Sequence, residues 1–190
     1  MDTFVDNNTD AVSLAPAMAL RKLYLLRFAF AAVWTALLFV AADTLGPLSV
    51  TLLVLYPLFD AACAVGDLRS AGADGGAAKR LYANIALSVS TGVALAVASG
   101  IPAVLRIWGA WAIAAGILQL AMGVARRRTS GQWAMIASGA ISTLAGASFI
   151  AQSGKDGATL ATLAGYAFLG GVFFLVSALR LGSAGRKMSA

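Results

Sequence analysis

Two ionisable residues, Arg27 and Asp60, lie inside stretches of the sequence that are otherwise apolar. A charged side chain in the hydrocarbon of a bilayer costs about 3 kcal/mol on insertion scales, so it needs a partner or a function. If the two stretches are adjacent antiparallel helices, the residues lie roughly 6 Å and roughly 9 Å from one membrane surface, at about 1.5 Å per residue. Because these depths are similar, we predict that Arg27 and Asp60 pair.

Two uncharged polar residues extend this pair to a layer. The same helical rise places Asn84 roughly 5 Å and Gln119 roughly 9 Å from the same surface. One interpretation is structural, in which Arg27 extends to the head groups and the remaining polar groups hold one another. The alternative is a site that handles a proton or a small solute. In both cases the predicted polar layer comprises Arg27, Asp60, Asn84 and Gln119.

Other kinds of chemistry are excluded by the residue types. The chain has no His, a single Cys (Cys63), and only Asp among its acids. Zinc sites with the usual ligands, and Ser-His-Asp or Cys-His catalysis, need residues that this chain lacks. The Gly-rich segment 71–76 lacks the Lys-Ser/Thr pair of a phosphate-binding loop. We therefore predict that the protein is not an enzyme and that it holds no metal and no cofactor.

The composition indicates that lipid is the solvent of the fold. The chain is 60% hydrophobic and 12% charged, with a mean hydropathy of +0.84, whereas a soluble domain has about 25% charged residues. About 20 apolar residues cross the hydrocarbon as a helix. We predict an all-α integral membrane protein whose transmembrane domain, 21–181, lies between a disordered cytoplasmic tail at 1–20 and a second tail at 182–190. The six predicted transmembrane helices are 23–41, 48–66, 81–99, 103–125, 133–151 and 159–180.

The connections between these helices differ in charge. Those after the first, third and fifth helices are short and share one basic residue, Lys155, whereas those after the second and fourth contain three each. Basic residues also flank both ends of the domain, and cytoplasmic loops carry an excess of Lys and Arg. We therefore predict a cytoplasmic (inner) membrane protein with both termini in the cytoplasm. The basic cluster predicted to contact lipid head groups comprises Arg126, Arg127 and Arg128.

Small residues recur every four positions in the third and fifth predicted helices. Residues four apart share a helix face, and small side chains there let two backbones approach closely. The segments 111–116 and 166–171 are also similar, so we predict three repeated helical hairpins in series. The small-residue faces could pack within one bundle or between copies in a homo-oligomer. The predicted helix-packing residues are Ser88, Gly92, Ala96, Ser138, Ser142 and Gly146.

The stretch 105–150 contains a Trp, then Gly-Ile-Leu-Gln, a basic turn, Gly-x-Trp, and Ser-Gly followed by a further Gly. This order of elements resembles the HdeD-like acid-resistance membrane proteins, and Leu25-Leu26-Arg27 resembles the opening element of that family. The resemblance implies a six-helix membrane protein linked to acid or other stress, and it implies no particular chemistry.

The sequence therefore leaves two functions open. The first is a stress-associated inner-membrane protein that acts by assembly or by altering the membrane, without catalysis. The second is a small transporter or channel for a proton or a small solute, built on the layer around Asp60 and Arg27. Membrane lipid is the predicted partner in both, and nucleic acid is not predicted because the basic cluster has no interleaved aromatic residues. Trp108 is expected at a membrane surface, as an aromatic anchor.

Overall fold

The fold is that of a computed structural model, which describes residues 6–70, 75–125 and 132–188. Within these ranges every regular element is an α-helix, so the all-α prediction is confirmed there. The predicted head-group contacts Arg126, Arg127 and Arg128 lie outside the described residues. The helices are α1 (Asp6–Val40), α2 (Pro47–Ser70), α3 (Gly75–Ala96), α4 (Ile101–Ala125), α5 (Gln132–Gln152) and α6 (Ala161–Met188).

Among the described residues, four helices contain a segment that is long and apolar enough to cross a membrane. In α5 the apolar segment, Ile136–Gln152, is shorter, and α3 carries several polar and basic residues along its length. These helices are compatible with a membrane protein, and the count of six spans stays a prediction. The four segments are Arg21–Val40, Pro47–Arg69, Ile101–Ala121 and Ala161–Arg180.

The first helix begins earlier than the sequence analysis predicted. α1 starts at Asp6 and therefore includes most of the 1–20 segment that we predicted as a disordered tail. Residues 11–20 include four Ala, two Leu and one Met, which favour the helix, and one residue, Pro16, that disfavours a helix interior. Because the costly step in helix formation is nucleation, a helix that already exists in the following segment needs no new nucleus to continue into these residues.

Turn chemistry sets where the next helices begin and end. α2 starts at Pro47, and proline suits the first helical position because its missing N–H needs no partner there. The Ser49 hydroxyl accepts a hydrogen bond from the Gly46 N–H (2.9 Å) and donates one to the Thr44 carbonyl (2.9 Å). Just before α4, Gly100 has a φ of +88°, a left-handed conformation that favours glycine.

The chain divides into two compact units. Unit 1 consists of the residues up to Thr35 together with those from Ala167 onward, and unit 2 consists of Ala36–Tyr166. In unit 2, α4 packs mainly against α5 and α2 packs mainly against α3, with a smaller contact between α3 and α4. The most extensive contacts are therefore between helices joined by the basic connections. The repeat of three hairpins stays a prediction.

Glycine residues bring α4 and α5 into backbone contact. A methyl group on Gly109 would lie 2.6 Å from the carbonyl oxygen of Gly146, and one on Gly116 would lie 2.7 Å from that of Gly139. In each helix the two glycines are seven residues apart, close to two turns, so they lie on one face. Close backbone approach of this kind supplies the van der Waals contact that holds helices together in lipid.

Polar contacts join two of the short connections in unit 2. The Leu160 N–H and the Thr159 hydroxyl both donate to the carbonyl of Ala42, at 3.0 and 3.1 Å. These two hydrogen bonds hold the connection after α1 against the connection after α5. A separate hydrogen bond, from the Arg106 Nε to the hydroxyl of Ser153 at 3.1 Å, ties the start of α4 to the end of α5.

An aromatic cluster fills part of unit 2. The ring centroid of Trp108 lies 5.4 Å from that of Tyr56 and 5.4 Å from that of Trp111, with tilted or edge-on geometry. Aromatic rings prefer such arrangements and bury a large apolar area in them. Trp108 is 0% exposed, so the expectation that it anchors the protein at a membrane surface is wrong.

The glycine contact predicts a steric penalty at Gly146. A methyl group there would lie 2.5 Å from the carbonyl oxygen of Gly109, so Gly146→Ala must separate α4 from α5. We expect it to destabilise the fold by roughly 1–3 kcal/mol, the usual cost of overpacking. The measurement is the midpoint of unfolding in detergent micelles, by heat or by added sodium dodecyl sulfate.

Gly165→Ala is the matched control. A methyl group on Gly165, in α6, would meet no atom of the described residues within 4 Å. We expect its effect to stay within about 0.5 kcal/mol, as for most surface substitutions. Equal midpoints for the two variants would contradict the backbone contact.

Candidate intramembrane polar site

Asp60 lies within the segment of α2 that is long and apolar enough to cross a membrane, one turn after Pro57. The Asp60 side chain is partly buried and Pro57 is buried. Proline has no N–H, so Pro57 cannot donate the helical hydrogen bond to the carbonyl of Leu53. The carboxylate thus follows a point at which α2 lacks one backbone hydrogen bond.

The neighbouring helix α3 supplies two hydrogen-bond donors to Asp60. The Asn84 Nδ2 donates to the Asp60 Oδ2 at 2.9 Å, and the Ser88 hydroxyl donates to the same oxygen at 3.1 Å. Asn84 and Ser88 are four residues apart, so one face of α3 presents both groups. Ser88 is completely buried, and Asn84 is partly buried. We call Asp60, Asn84 and Ser88 the polar cluster.

These hydrogen bonds make the carboxylate tolerable within a span. A buried ionised group without polar neighbours would cost far more than an ordinary hydrogen bond gains. Hydrogen bonds to a charged acceptor are shorter and stronger than those between neutral groups. The α2–α3 contact therefore depends on a polar interaction as well as on apolar packing.

The predicted polar layer is only partly assembled by these contacts. Asp60 and Asn84 lie together, as described. Arg27 lies in unit 1, where its guanidinium carbon is 5.1 Å from the ring centroid of Phe174. Its pairing with Asp60 would relate residues of different units and stays a prediction. Gln119 is partly buried on α4, and its place in the layer also stays a prediction.

The predicted packing residues on α3 have three different surroundings. Ser88 belongs to the polar cluster. A methyl group on Gly92 would lie 3.3 Å from the Cδ2 of Leu58, so Gly92 faces α2 closely. Ala96, the last residue of α3, is exposed.

The predicted packing residues on α5 also differ from one another. Gly146 lies against Gly109 of α4, and Ser138 is partly buried. The Ser142 hydroxyl accepts a hydrogen bond from the Tyr166 hydroxyl at 2.9 Å, which links α5 to the part of α6 in unit 2. The small residues that we predicted to share one packing face therefore contact two helices, α4 through Gly146 and α6 through Ser142.

Sequence analysis placed Ser88 among the packing residues and missed its bond to Asp60. The signal was present, because Asn84 and Ser88 share a helix face and their helix follows that of Asp60 in the chain. It also missed Gly109, Gly116 and Gly139, although glycines seven residues apart occur in both predicted helices. In each case the sequence did not show which helix that face contacts.

The polar cluster allows a narrow range of chemistry. A carboxylate can take up and release one proton, and amide and hydroxyl groups can exchange hydrogen bonds with a polar solute. Among the described residues, no group of three His, Cys, Asp or Glu side chains is placed to hold a metal ion. The arrangement therefore suits reversible binding.

Comparison with protein families, with curated proteins and with solved structures finds no match for the chain. The resemblance to the HdeD-like proteins thus rests on the sequence elements alone. The function of the polar cluster has to be argued from its own geometry.

A double-mutant cycle tests the hydrogen bond between α2 and α3. Asp60→Ala and Asn84→Ala remove the two partners, and we expect the double variant to lose less stability than the sum of the single variants. Interhelical hydrogen bonds in membranes give coupling energies of about 0.6 kcal/mol on average and about 1.7 kcal/mol at most. The measurement is unfolding in detergent micelles.

Ser90→Ala provides the control for this cycle, because Ser90 is an exposed residue of the same helix. It should show no coupling to Asp60→Ala. Zero coupling at Asn84, with the folded helix content unchanged, would mean that the two side chains do not interact.

Proposed function

We propose that the chain is a multi-pass membrane protein that handles a proton or a small polar solute at an intramembrane site centred on Asp60, without catalysis. One observation carries this proposal. The Asp60 carboxylate lies inside an apolar span and binds the Asn84 amide and the Ser88 hydroxyl of the next helix. Ionisable residues inside spans are rare and commonly mark proton relays or solute pathways.

The composition of α3 supports the same proposal. This helix is less apolar than the four segments that meet the length and hydropathy requirements of a span. Part of its polar content is used to bind Asp60, because Asn84 and Ser88 are the donors. A structural role alone does not require this arrangement, since apolar residues of similar volume often replace buried charged groups without loss of stability.

The proposal includes six spans in the cytoplasmic membrane, with both termini in the cytoplasm. α3 has 22 residues and α5 has 21, which at about 1.5 Å per residue gives roughly 33 and 32 Å, enough for a hydrocarbon core of about 30 Å. The clustering of Lys and Arg in alternate connections supports this orientation.

Reporter fusions test the proposed orientation. A reporter active only in the cytoplasm should be active when fused after Ala190, and also when inserted at Gly72 in the connection after α2. The same reporter inserted at Gly154 or Gly157, in the connection after α5, should be inactive. Activity at Ala190 and Gly154 together would rule out six spans with this topology.

Proton flux and water access test the proposed site. In proteoliposomes with an internal pH dye and an imposed potential, Asp60→Asn should reduce proton entry to that of empty vesicles, because Asn cannot carry the proton. Asp156→Asn changes an exposed aspartate in the connection after α5 and should leave proton entry unchanged.

Thiol labelling extends this test to solutes other than protons. In a Cys63→Ala background, Asn84→Cys, at a partly buried position, should react with a water-soluble thiol reagent, whereas Leu95→Cys, at a position 1% exposed on the same helix, should not. Complete protection of Asn84→Cys, together with proton entry equal to that of empty vesicles, would overturn the proposal.

The second candidate is a stress-associated protein that acts without catalysis, as the resemblance implies. The observation that favours it is the glycine contact between α4 and α5, because Gly109, Gly116, Gly139 and Gly146 all lie in the stretch that carries the resemblance. A protected polar cluster would favour this candidate over transport. It also requires that bacteria expressing the chain survive transfer to acidic medium better than bacteria with the empty vector.

A further inference from the structure

We infer that one end of the α1–α6 pair in unit 1 binds the head group of an anionic phospholipid. The end in question is the one at which the apolar segment of α1 begins, at Arg21, and that of α6 ends, at Arg180. The inference rests on unit 1 alone and does not depend on the role proposed for Asp60.

Side-chain contacts define how the two helices align. The ring of Tyr24 on α1 lies 5.8 Å from the ring of Phe174 on α6, and a methyl group on Gly171 would lie 3.1 Å from the Cβ of Ala31. The helices are therefore antiparallel in these contacts, because the earlier residue of α1 contacts the later residue of α6. Continuing this register toward the helix ends brings Arg180 to the level of the residues just before Tyr24.

This register gathers three exposed cations at one level. Arg21 and Lys22 precede Tyr24 on α1, and Arg180 follows Phe174 on α6; all three are exposed. Arg27 lies roughly 9 Å deeper than Arg21, at about 1.5 Å per residue. Its guanidinium is 5.1 Å from the ring centroid of Phe174, within the range of a cation–π contact. We call these four side chains, Arg21, Lys22, Arg27 and Arg180, the basic end of unit 1.

The sequence segments that form this end are basic. Segments 18–35 and 167–180 contain four Lys or Arg residues and neither Asp nor Glu, so their own net charge is +4. A surface of this charge attracts anions. Arg can bind phosphate oxygens through paired N–H groups, and Lys binds them as a point charge.

The position of the charges favours a lipid over a free anion. The exposed cations lie where apolar helix segments end, which is the depth of lipid head groups. The Tyr24 and Phe174 rings contact each other, are partly exposed and lie within two turns of these cations along their helices, so they offer apolar surface to the glycerol and upper acyl chain of a lipid. A soluble phosphate ion would gain the charge contacts but nothing from this apolar surface.

The test measures lipid binding to the full chain purified in a neutral detergent. Phosphatidylglycerol, phosphatidylcholine or inorganic phosphate is added, and binding is followed by native mass spectrometry and by the shift of the thermal unfolding midpoint. We expect phosphatidylglycerol to bind and raise the midpoint, and the other two to do neither. The effect should weaken as salt is raised, because exposed charges are screened.

Two triple variants separate this site from general attraction to basic residues. R21Q/K22Q/R180Q should weaken phosphatidylglycerol binding by roughly 100-fold, at about 5-fold for each cation removed. R69Q/K79Q/R80Q removes the same charge from α2 and α3 in unit 2 and should keep the wild-type affinity. Helix content by circular dichroism and the midpoint without lipid verify that both variants fold.

Three results would overturn the inference. The first is equal binding of phosphatidylcholine, which would mean that the apolar surface alone attracts lipid. The second is an equal midpoint shift with inorganic phosphate, which would mean that the site takes any free anion. The third is an equal loss of phosphatidylglycerol binding in the two triple variants.

Discussion

A polar group inside an apolar span has to find its partner within the protein, because the hydrocarbon offers none. Much of unit 2 follows from this constraint. Asp60 binds two donors on α3, so α3 has to be more polar than a helix surrounded by lipid would be. Part of the polar content of α3, Asn84 and Ser88, is therefore explained by the carboxylate on α2. The same two hydrogen bonds therefore join α2 to α3 and form the polar cluster.

Backbone proximity plays the corresponding role between α4 and α5. Burial of apolar side chains gives helices little reason to associate in lipid, so close packing has to supply the attraction. The facing glycines meet this need over two turns. They lie in the stretch that resembles the HdeD-like proteins, whereas the polar cluster lies on the preceding helix pair. The resembling residues thus form a packing contact, and the groups capable of chemistry are elsewhere.

Charge in unit 1 has a different physical character. The basic end consists largely of exposed side chains at helix ends, where screening and competition with water keep each contribution small. Such charges act together, and they distinguish ligands by the sign of the ligand's charge and by its depth in the membrane. The polar cluster acts through two short, directional hydrogen bonds to one oxygen. The first arrangement suits a lipid head group, and the second suits a proton or one small solute.

The sequence by itself determined the helical class, the approximate helix positions and the unusual status of Asp60 and Arg27. These properties depend on composition and on the length of apolar runs, which are local along the chain. Only the tertiary structure decided that Ser88 binds Asp60, that Trp108 is buried against Tyr56 and Trp111, and that glycines of α4 face glycines of α5. Each of these depends on how two helices are rotated about their own axes. In a helix that is apolar around its whole circumference, the sequence pattern does not distinguish one face from another.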